Sequence, residues 1–417
     1  MIRCIIPNNN LKERSYIVEI LLGEFLALEY QLEVGSENYE IVLENGKKLT
    51  IEDTFFNNYP NELEYLKLES IPSSIEELDL FASSFFMITR WEEYVNKNRD
   101  THGRFLATES LAYKEGFLDK PIVNENVEKL KSKLLELDKS LKFKTKTSQL
   151  FLTHDVDELY MWKSWKHVFR VALGDVVKRK SLSLAFSRVS EYLGVQQGKI
   201  NDPFDTFDWL MDKSESIGIK SRFYFMSGGV TEYDNRYKID EPKALELIEK
   251  IKKRGHIIGL HPSYNAYVDV EQFKKEKELL EKVVGEPIDE GREHYLRFEV
   301  PTTWQVWEEN GMKVDSTCGY ADSEGFRCGT GDEFSVFNIL TREKLGLKER
   351  PLVFMDDNHY SYNKEISTEV SSAKIKEIFV ISQQSNSMLT LLFHNSIFMP
   401  NKNVNFKKLY NKLMELK

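Results

Sequence analysis

Short apolar segments alternate with helical segments along the second part of this 417-residue chain. The predicted strands of this pattern are the stretch Leu150–Asp157, then Ser221–Met226, Gly255–Leu260, His294–Phe298, Met312–Asp315 and Leu389–Phe393. The helices expected between and after them are Phe204–Ile217, Lys243–Arg254, Val270–Val284, Thr302–Asn310 and Asn405–Leu416. Strands that are apolar throughout are buried on both faces, and parallel strands need a crossover, which is usually a helix. The alternation therefore predicts an α/β fold built around a parallel sheet or barrel.

The first part of the chain has a different pattern, which predicts a smaller α+β domain over residues 1–147. Its expected elements are a strand at Ile2–Ile6, a helix around Tyr16–Tyr30, a hairpin whose two-residue turn is Asn45-Gly46, a helix from Ser73 or Ser74 through Tyr94, and a helix at Val127–Leu137. A lysine-rich stretch with Lys139, Lys142, Lys144 and Lys146 then precedes the strand at residue 150. We place the domain boundary there, with the barrel over residues 148–417.

Composition limits the possible partners and compartments. The net charge of −10, with 30% charged residues, favours a soluble protein and argues against nucleic-acid binding, which needs a concentrated basic surface. The three cysteines fit no zinc module or disulfide framework, which favours a reducing compartment. We expect no signal peptide, because Pro7 and a run of asparagines interrupt the N-terminal apolar residues, and no apolar run approaches about 18 residues. The sequence thus predicts a cytoplasmic location and leaves the oligomeric state open.

Residues 158–200 are an insertion whose charge is opposite to that of the whole chain. They contain eight Lys/Arg and three Asp/Glu, a net charge of +5, with aromatic residues interleaved among the basic ones. Such a segment could cover a site and stack on sugar rings, or rest on an anionic membrane surface as a peripheral contact. It could equally pack on its own domain with a solvated basic face.

Two carboxylates end the strand that opens the second part. Asp155 and Asp157 lie at i and i+2, so their side chains share one face at the carboxyl end of a buried strand. Two like charges so close are costly without a positive partner, and a divalent metal ion is the usual solution. An acidic loop after a core strand is the alternative interpretation.

Other predicted strands end in residues of the same chemical kind. The candidates are His261 and Asn265 after one strand, Arg292 and His294 at the next, then Asp315, and finally His394. The carboxyl ends of parallel strands lie on one face of a barrel, so these side chains are expected to converge. Packing alone does not explain so many titratable groups at corresponding positions. By contrast, His102 in the polar loop His102-Gly103-Arg104 is expected at the surface.

These motifs resemble, in order, those of the polysaccharide deacetylase family, the hydrolases with a NodB-homology domain. The resemblance starts near residue 148, and Thr153–Asp157 is similar to the first motif of the family. It implies a distorted (β/α) barrel, a carbohydrate substrate and a role in surface-polysaccharide biosynthesis. The first half of the chain resembles the accessory domain of deacetylases from surface-polysaccharide gene clusters, though less specifically.

The resemblance also implies a role for each candidate residue. Asp155 would be the catalytic base and His394 the general acid, Asp157 and His261 would bind the metal, Arg292 would brace Asp155, and Asp315 would correspond to the aspartate of the fourth motif. Zinc is the metal expected most strongly. A divalent ion lowers the pKa of bound water towards about 7 and polarises the acetyl carbonyl. Asp155 would take the proton of the attacking water, and His394 would protonate the leaving amine. Asp315 could orient Arg292 or His394.

One position departs from the family pattern. The family carries a second metal-binding histidine four residues after the first, where this chain has Asn265, whose neutral oxygen is a poorer zinc ligand. Three explanations are open: weak ligation by Asn265, replacement of the missing ligand by His294, or loss of the metal. His256 is a poor substitute, because it lies five residues before His261 and so on the opposite face of a strand.

The function expected from these residues is a metal-dependent hydrolase that removes acetyl groups, N-acetyl favoured, from a sugar or polysaccharide precursor. The alternatives are a catalytically inactive saccharide-binding protein of the same fold, or another metallohydrolase, such as one that cleaves a phosphoester. A second metal ion would need further carboxylates, and Asp356-Asp357-Asn358-His359 is the other acidic cluster that could supply them. We interpret that cluster as a loop after a strand.

Overall fold

The computed structural model describes residues 1–144, 147–234, 236–358, 367–398 and 405–416, and it shows a mixed α/β fold with two sheets. The first sheet lies within the first 51 residues. Its strands are β1 (Ile2–Pro7), β2 (Tyr30–Ser36), β3 (Tyr39–Val42) and β4 (Lys48–Ile51), in the order β2-β1-β3-β4. β1 and β2 are parallel, and the other pairs are antiparallel.

Two local predictions in this sheet are corrected by the backbone. Helix α1 (Leu11–Val18) starts before Tyr16 and continues as a π-helical segment, Glu19–Phe25, whereas Tyr30 already belongs to β2. The β3–β4 hairpin forms as expected, but Gly46 has a positive φ of 80° and Asn45 does not. A two-residue type I′ turn needs positive φ at both positions, so the loop is longer than predicted.

Four helices follow in the first half of the chain: α2 (Leu80–Thr89), α3 (Trp91–Val95), α4 (Leu111–Lys114) and α5 (Ile122–Leu137). The prediction of a single helix from Ser73 or Ser74 through Tyr94 is wrong, because the chain leaves the helical conformation before α2 and again after it. Asp79 caps the start of α2 by accepting hydrogen bonds from the N–H groups of Phe81 and Ala82, at 2.9 and 3.0 Å. Arg90 has a left-handed backbone (φ 54°) that ends α2 before α3 begins.

The second sheet has nine strands. They are β5 (Leu150–Val156), β6 (Arg222–Phe225), β7 (Ile257–Leu260), β8 (Glu290–Gly291), β9 (Val314–Asp315), β10 (Phe334–Asn338), β11 (Glu343–Glu349), β12 (Leu352–Met355) and β13 (Leu389–Leu392). Their order is β10-β11-β9-β8-β7-β6-β5-β13-β12, and β10–β11 is the antiparallel pair among them. All other neighbours are parallel, as the alternation predicts.

This sheet is curled. β5 and β8 are three strand spacings apart, about 14 Å in a flat sheet. Yet Arg292, directly after β8, donates a 2.9 Å hydrogen bond to the hydroxyl of Thr153 on β5. The two outer strands, β10 and β12, are not paired with each other within the described ranges. The sheet is therefore a curved, open version of the expected barrel.

The remaining helices are α6 (Trp165–Val177), α7 (Leu182–Gln196), α8 (Phe207–Ser216), α9 (Pro242–Lys253), α10 (Val270–Val284), α11 (Thr302–Glu309), α12 (Thr368–Gln384) and α13 (Phe406–Glu415). Short 3₁₀ turns occur at Phe56–Asn58, Leu68–Ser70, Ile75–Glu77, Ala107–Glu109, Ala266–Val268, His294–Leu296 and Asn395–Phe398. The strand predicted at His294–Phe298 is thus wrong, because Tyr295 and Leu296 have positive φ values of 62° and 54°, which a strand cannot accommodate.

One hydrophobic cluster includes residues of both sheets and of the helices around them, from Ile2 to Met414. Buried polar contacts also join the two halves of the chain. Glu93 accepts hydrogen bonds from Arg327, and Glu13 accepts them from Arg342. The boundary at residue 147 remains a prediction, and Lys146 of the proposed linker lies outside the described residues. Among the helices that the structure describes, none is long and apolar enough to cross a membrane.

Candidate metal centre and surrounding cavity

The candidate residues lie where neighbouring parallel strands end. Asp155 is on β5, and Asp157 follows that strand by one residue. β13 pairs with β5 on one side, with Leu392 opposite Thr153, and this register brings His394 beside the two aspartates. On the other side, β6, β7 and β8 carry the sheet round to His261 and His294. The strand order therefore explains why Asp157 and His394, more than 230 positions apart, lie within 3.9 Å of each other.

Three side chains form a compact group that we call the acceptor triad: Asp157, His261 and His294. His261 Nε2 lies 3.0 Å from His294 Nδ1 and 3.3 Å from Asp157 Oδ1. His294 Nδ1 lies 3.7 Å from the same carboxylate oxygen. Both histidines are buried, and Asp157 is partly buried.

The backbone fixes which nitrogen of each ring carries the proton. His261 Nδ1 lies 2.7 Å from the carbonyl oxygen of Arg292, and His294 Nε2 lies 3.1 Å from that of Tyr233. A carbonyl oxygen only accepts hydrogen bonds, so each of these nitrogens is a donor. In the neutral rings, His261 Nε2 and His294 Nδ1 then present lone pairs towards each other. Such carbonyl contacts are the usual orienting partners of metal-bound histidines.

A carboxylate oxygen without a partner faces the centre of the acceptor triad. Asp157 Oδ1 is buried without a hydrogen-bond partner, and it faces the two ring nitrogens. Burial lowers the pKa of His294 to about 4, so this ring is neutral at pH 7. Burial opposes the charge on Asp157 too, but His294, His261 and His394 hold its pKa well below the usual range.

The donor set and its spacing fit a divalent cation. Zinc binds histidine nitrogen and carboxylate oxygen at about 2.0–2.2 Å, which separates neighbouring tetrahedral ligand atoms by about 3.4 Å. The three separations, 3.0, 3.3 and 3.7 Å, bracket that value. Three protein ligands also leave one position open, as in catalytic zinc sites. Asp157, His261 and His294 are therefore the residues that could hold a metal ion.

Asn265 is not part of this group. Its side chain is exposed, and its Oδ1 accepts a 3.1 Å hydrogen bond from Arg297. It precedes the 3₁₀ turn Ala266–Val268 and does not line the cavity around the triad. Of the three explanations for the departure from the family pattern, the geometry favours His294 as the replacement ligand. His256 points elsewhere, since its Nδ1 accepts from the N–H of Ser221.

Asp155 lies next to the triad and is held by Arg292. The guanidinium Nη1 of Arg292 donates to Asp155 Oδ1 at 2.9 Å, and both side chains are buried. Arg292 is itself fixed by the carbonyl and hydroxyl of Ser316. The other oxygen of Asp155 lies 3.9 Å from His261 Nε2. The carboxylate thus has one oxygen engaged by Arg292 and the other directed to the triad.

His394 is oriented by Asp356, a partner that the sequence analysis missed. His394 Nδ1 lies 2.8 Å from Asp356 Oδ1, and the His394 backbone N–H donates to the second oxygen at 2.7 Å. Asp356 follows β12, so a strand does precede this cluster as expected, but its pairing with β13 just before His394 was not predicted. Its neighbour His359 lies outside the described residues. The apolar run Leu352–Met355 ending in two acids was the available sequence signal.

Asp315 does not take either orienting role expected for it. Its Oδ1 accepts from the backbone N–H and the hydroxyl of Thr317, and its Oδ2 is buried without a partner. Burial raises its pKa to about 7. The hydrogen bonds of Arg292 and His394 go to other groups, so Asp315 supports the turn after β9 rather than either side chain.

A cavity of about 400 Å³ surrounds these groups. Its lining includes Asp155, the triad and His394, and also His102 and Arg104 from the first half of the chain. His102 is half-buried: its ring packs 4.8 Å from the ring of Tyr295, and its Nδ1 lies 3.0 Å from the hydroxyl of Tyr264. The expectation of a simple surface histidine is therefore wrong, and both halves of the chain form the cavity.

Comparisons with known proteins match a family model and solved structures. Residues 2–139 match a family described as being of unknown function (DUF7033). A solved structure described as a BA3943 mutant, a CE4 family pseudoenzyme with restored enzymatic activity, is similar at 8% identity and a TM-score of 0.31. That similarity covers 64% of this chain and 63% of the other, so the chain spans less than two thirds of that protein. No curated protein matches the sequence.

Proposed function

We propose that this protein is a metal-dependent hydrolase that removes acetyl groups, N-acetyl favoured, from a sugar or polysaccharide precursor. The observation that carries the proposal is the convergence of the acceptor triad with a braced carboxylate and a carboxylate-paired histidine on one cavity. Hydrolysis of an amide needs an activated water, a proton acceptor for it and a proton donor for the leaving nitrogen. The cavity has a candidate for each.

Asp157, His261 and His294 would hold the cation, and zinc suits two imidazoles with one carboxylate. When bound, such an ion lowers the pKa of water and polarises the acetyl carbonyl. The protein's own contribution is to fix the ligands: the carbonyl groups of Arg292 and Tyr233 hold the two rings with the correct nitrogen directed inward.

Asp155 is proposed as the base that accepts the proton of the attacking water. Arg292 is a positioning residue, because it holds one oxygen of Asp155 and leaves the other facing the triad. Water activated there would lie within reach of a carboxylate that cannot rotate freely. A base that is held in the reactive orientation accelerates the reaction more than one that rotates freely.

His394 is proposed as the acid that protonates the leaving amine. Burial opposes the charged ring, but the carboxylates of Asp356, Asp157 and Asp155 raise the pKa of His394 well above its ordinary value. With Nδ1 engaged by Asp356, the proton available for transfer is on Nε2, which lies 3.9 Å from Asp157 Oδ2 and hence beside the triad.

A saccharide substrate is supported by the cavity lining as well as by the family resemblance. The rings of Tyr295 and His102, with centroids 4.8 Å apart, both line the cavity, and so do the guanidinium groups of Arg104 and Arg236. Aromatic faces with neighbouring polar groups suit sugar rings. The role in surface-polysaccharide synthesis and the cytoplasmic location stay predictions.

Acetate release from N-acetylglucosamine oligomers tests the proposal. Wild-type protein loaded with zinc should release acetate, and Asp155→Asn should lower kcat by about 10²–10⁴-fold while the zinc content stays unchanged. Asp212→Asn, which alters an exposed carboxylate on α8, is the matched control and should keep full activity. If the protein binds the saccharide but releases no acetate, and if chelation of the metal does not change the binding, the protein is instead an inactive binding protein.

A further inference from the structure

Helices α6 and α7, within the insertion at residues 158–200, form an antiparallel hairpin. The ring of Trp165 at the start of α6 lies 5.3 Å from that of Tyr192 near the end of α7. Serine side chains cap both helices: Ser164 accepts from the N–H of His167, and Ser181 from that of Leu184. The hairpin is therefore a regular, locally specified structure.

Each helix of the hairpin exposes a stripe of large apolar side chains. On α6 these are Trp165, Phe169, Leu173, Val176 and Val177, and on α7 they are Leu182, Phe186 and Leu193. The spacings of four, eight and eleven residues on α6, and of four and eleven on α7, place each stripe along one helical face. Phe169 is 65% exposed and Phe186 is 74% exposed. Large apolar side chains exposed along one face of a helix are typical of an interaction site.

Basic side chains flank these stripes. Lys163, Arg179 and Arg188 have acidic partners within the insertion. For the other basic residues, the described part of the chain offers no acidic side chain within ion-pair distance; these residues are Lys166, Arg170, Lys178, Lys180 and Lys199. The hairpin thus combines exposed apolar faces with uncompensated positive charge in a chain whose net charge is −10.

The two ends of the insertion are tied together beside the cavity. The carboxylate of Asp202 accepts hydrogen bonds from the N–H groups of Met161 and Trp162, at 2.7 and 3.0 Å. Asn395, next to His394, donates to the carbonyl oxygens of Glu158 and Phe204, at 2.7 and 2.9 Å. The base of the hairpin is therefore anchored beside His394, which lines the cavity.

We infer that the α6–α7 hairpin docks on an anionic membrane surface. Helices that carry Trp, Phe and Leu on one face and Lys or Arg beside it lie in the membrane interface, with the apolar face among the acyl chains and the cations near anionic headgroups. A second copy of this chain would suit the apolar stripes but would oppose like charges. The inference does not depend on the metal centre or on the proposed hydrolysis.

Vesicle co-sedimentation of the full chain tests this assignment. Wild-type protein should sediment with vesicles of equal parts phosphatidylglycerol and phosphatidylcholine, and much less with phosphatidylcholine alone. Lys166→Gln with Arg170→Gln should weaken the partition by about 25-fold, because each basic residue near an anionic leaflet contributes about fivefold. Lys274→Gln with Lys275→Gln, exposed on α10, removes the same charge elsewhere and should change nothing.

A second measurement reports insertion directly. All three native cysteines are buried, so Phe186→Cys can be labelled with an environment-sensitive fluorophore, with Leu68→Cys, 60% exposed in the first half of the chain, as the control. The label at position 186 should move to an apolar environment when anionic vesicles are added, and the label at position 68 should not.

Three results would overturn the inference. They are the absence of binding to anionic vesicles, binding that is independent of lipid charge, and identical responses of the two labels. Light scattering over a range of protein concentrations tests whether the hairpin instead binds a second copy of this chain. A dimer that Phe186→Ser dissociates would assign the hairpin to a second copy of the chain instead.

Discussion

The Asp356 carboxylate contacts His394 twice, through the ring nitrogen Nδ1 at 2.8 Å and through the backbone N–H at 2.7 Å. This double contact fixes both the position of His394 and the nitrogen that it presents to the cavity. Because Asp356 follows β12 and His394 follows β13, the pairing of these two strands builds the contact. The proposed acid therefore depends on a residue 38 positions away.

Replacing Asp356 with asparagine should impair the proposed acid. The Asp356 carboxylate is the foremost of the charges that raise the pKa of His394 against the effect of burial. Without this carboxylate the pKa of His394 falls, so the ring loses its proton at a lower pH. The alkaline limb of the kcat profile should therefore shift to lower pH. At pH 7 kcat should fall by about 10²-fold. An unchanged profile, with the metal content intact, would remove His394 as the acid.

Arg292→Lys should separate positioning from metal binding. Lysine cannot reproduce the simultaneous bonds of Arg292 to Asp155, Thr153 and Ser316, so Asp155 should lose its fixed orientation. We expect kcat to fall by about 10²-fold. The bond from His261 goes to the backbone carbonyl of Arg292, which the substitution keeps, so the metal content should not change. Parallel loss of metal and activity would contradict the positioning role.

Glu93 should contribute to stability in a pH-dependent way. Although burial opposes its charge, Arg327 and Arg90 lower the pKa of Glu93 to about 2. A carboxyl group whose pKa is lower in the folded state stabilises above its ordinary pKa of 4.5. That stabilisation is lost as the pH falls from 4.5 towards 2. Glu93→Gln should reduce the free energy of unfolding by about 3–5 kcal/mol at pH 7, because it removes the carboxylate that two buried arginines share.

Denaturant unfolding across this pH range measures the effect of Glu93, and Glu92→Gln is the matched control. Burial raises the pKa of Glu92 to about 7, so its charge adds little below neutral pH and the substitution should cost much less. The difference between wild type and Glu93→Gln should shrink as the pH falls. A constant difference would show that the charge of Glu93 is not what stabilises the fold.

Local signals account for the elements that were predicted correctly. Helix α10 has the expected bounds, Val270–Val284, because Asp269 caps its start and Gly285 ends it in a left-handed conformation. The strands β5 and β13 were recognisable as short apolar runs that end in polar residues. The grouping of Asp157 with His261 followed from their common place at the carboxyl ends of parallel strands.

The errors arise where distant parts of the chain decide the conformation. Tyr295 and Leu296 adopt left-handed backbones that neither residue favours locally, and this turn directs His294 into the triad. Asp356 was interpreted as part of a loop, because a single sequence does not reveal that β12 pairs with β13. Asn265 was included through its spacing from His261, but its side chain bonds to Arg297 outside the cavity.

The metal content of the purified protein tests the central claim most directly. After incubation with zinc and removal of the excess, wild type and Asn265→Ala should each retain about one equivalent, because Asn265 is not a ligand. His294→Ala should retain far less under the same conditions, because it loses one of three ligands. Full occupancy in His294→Ala, or loss of zinc in Asn265→Ala, would contradict a centre formed by Asp157, His261 and His294.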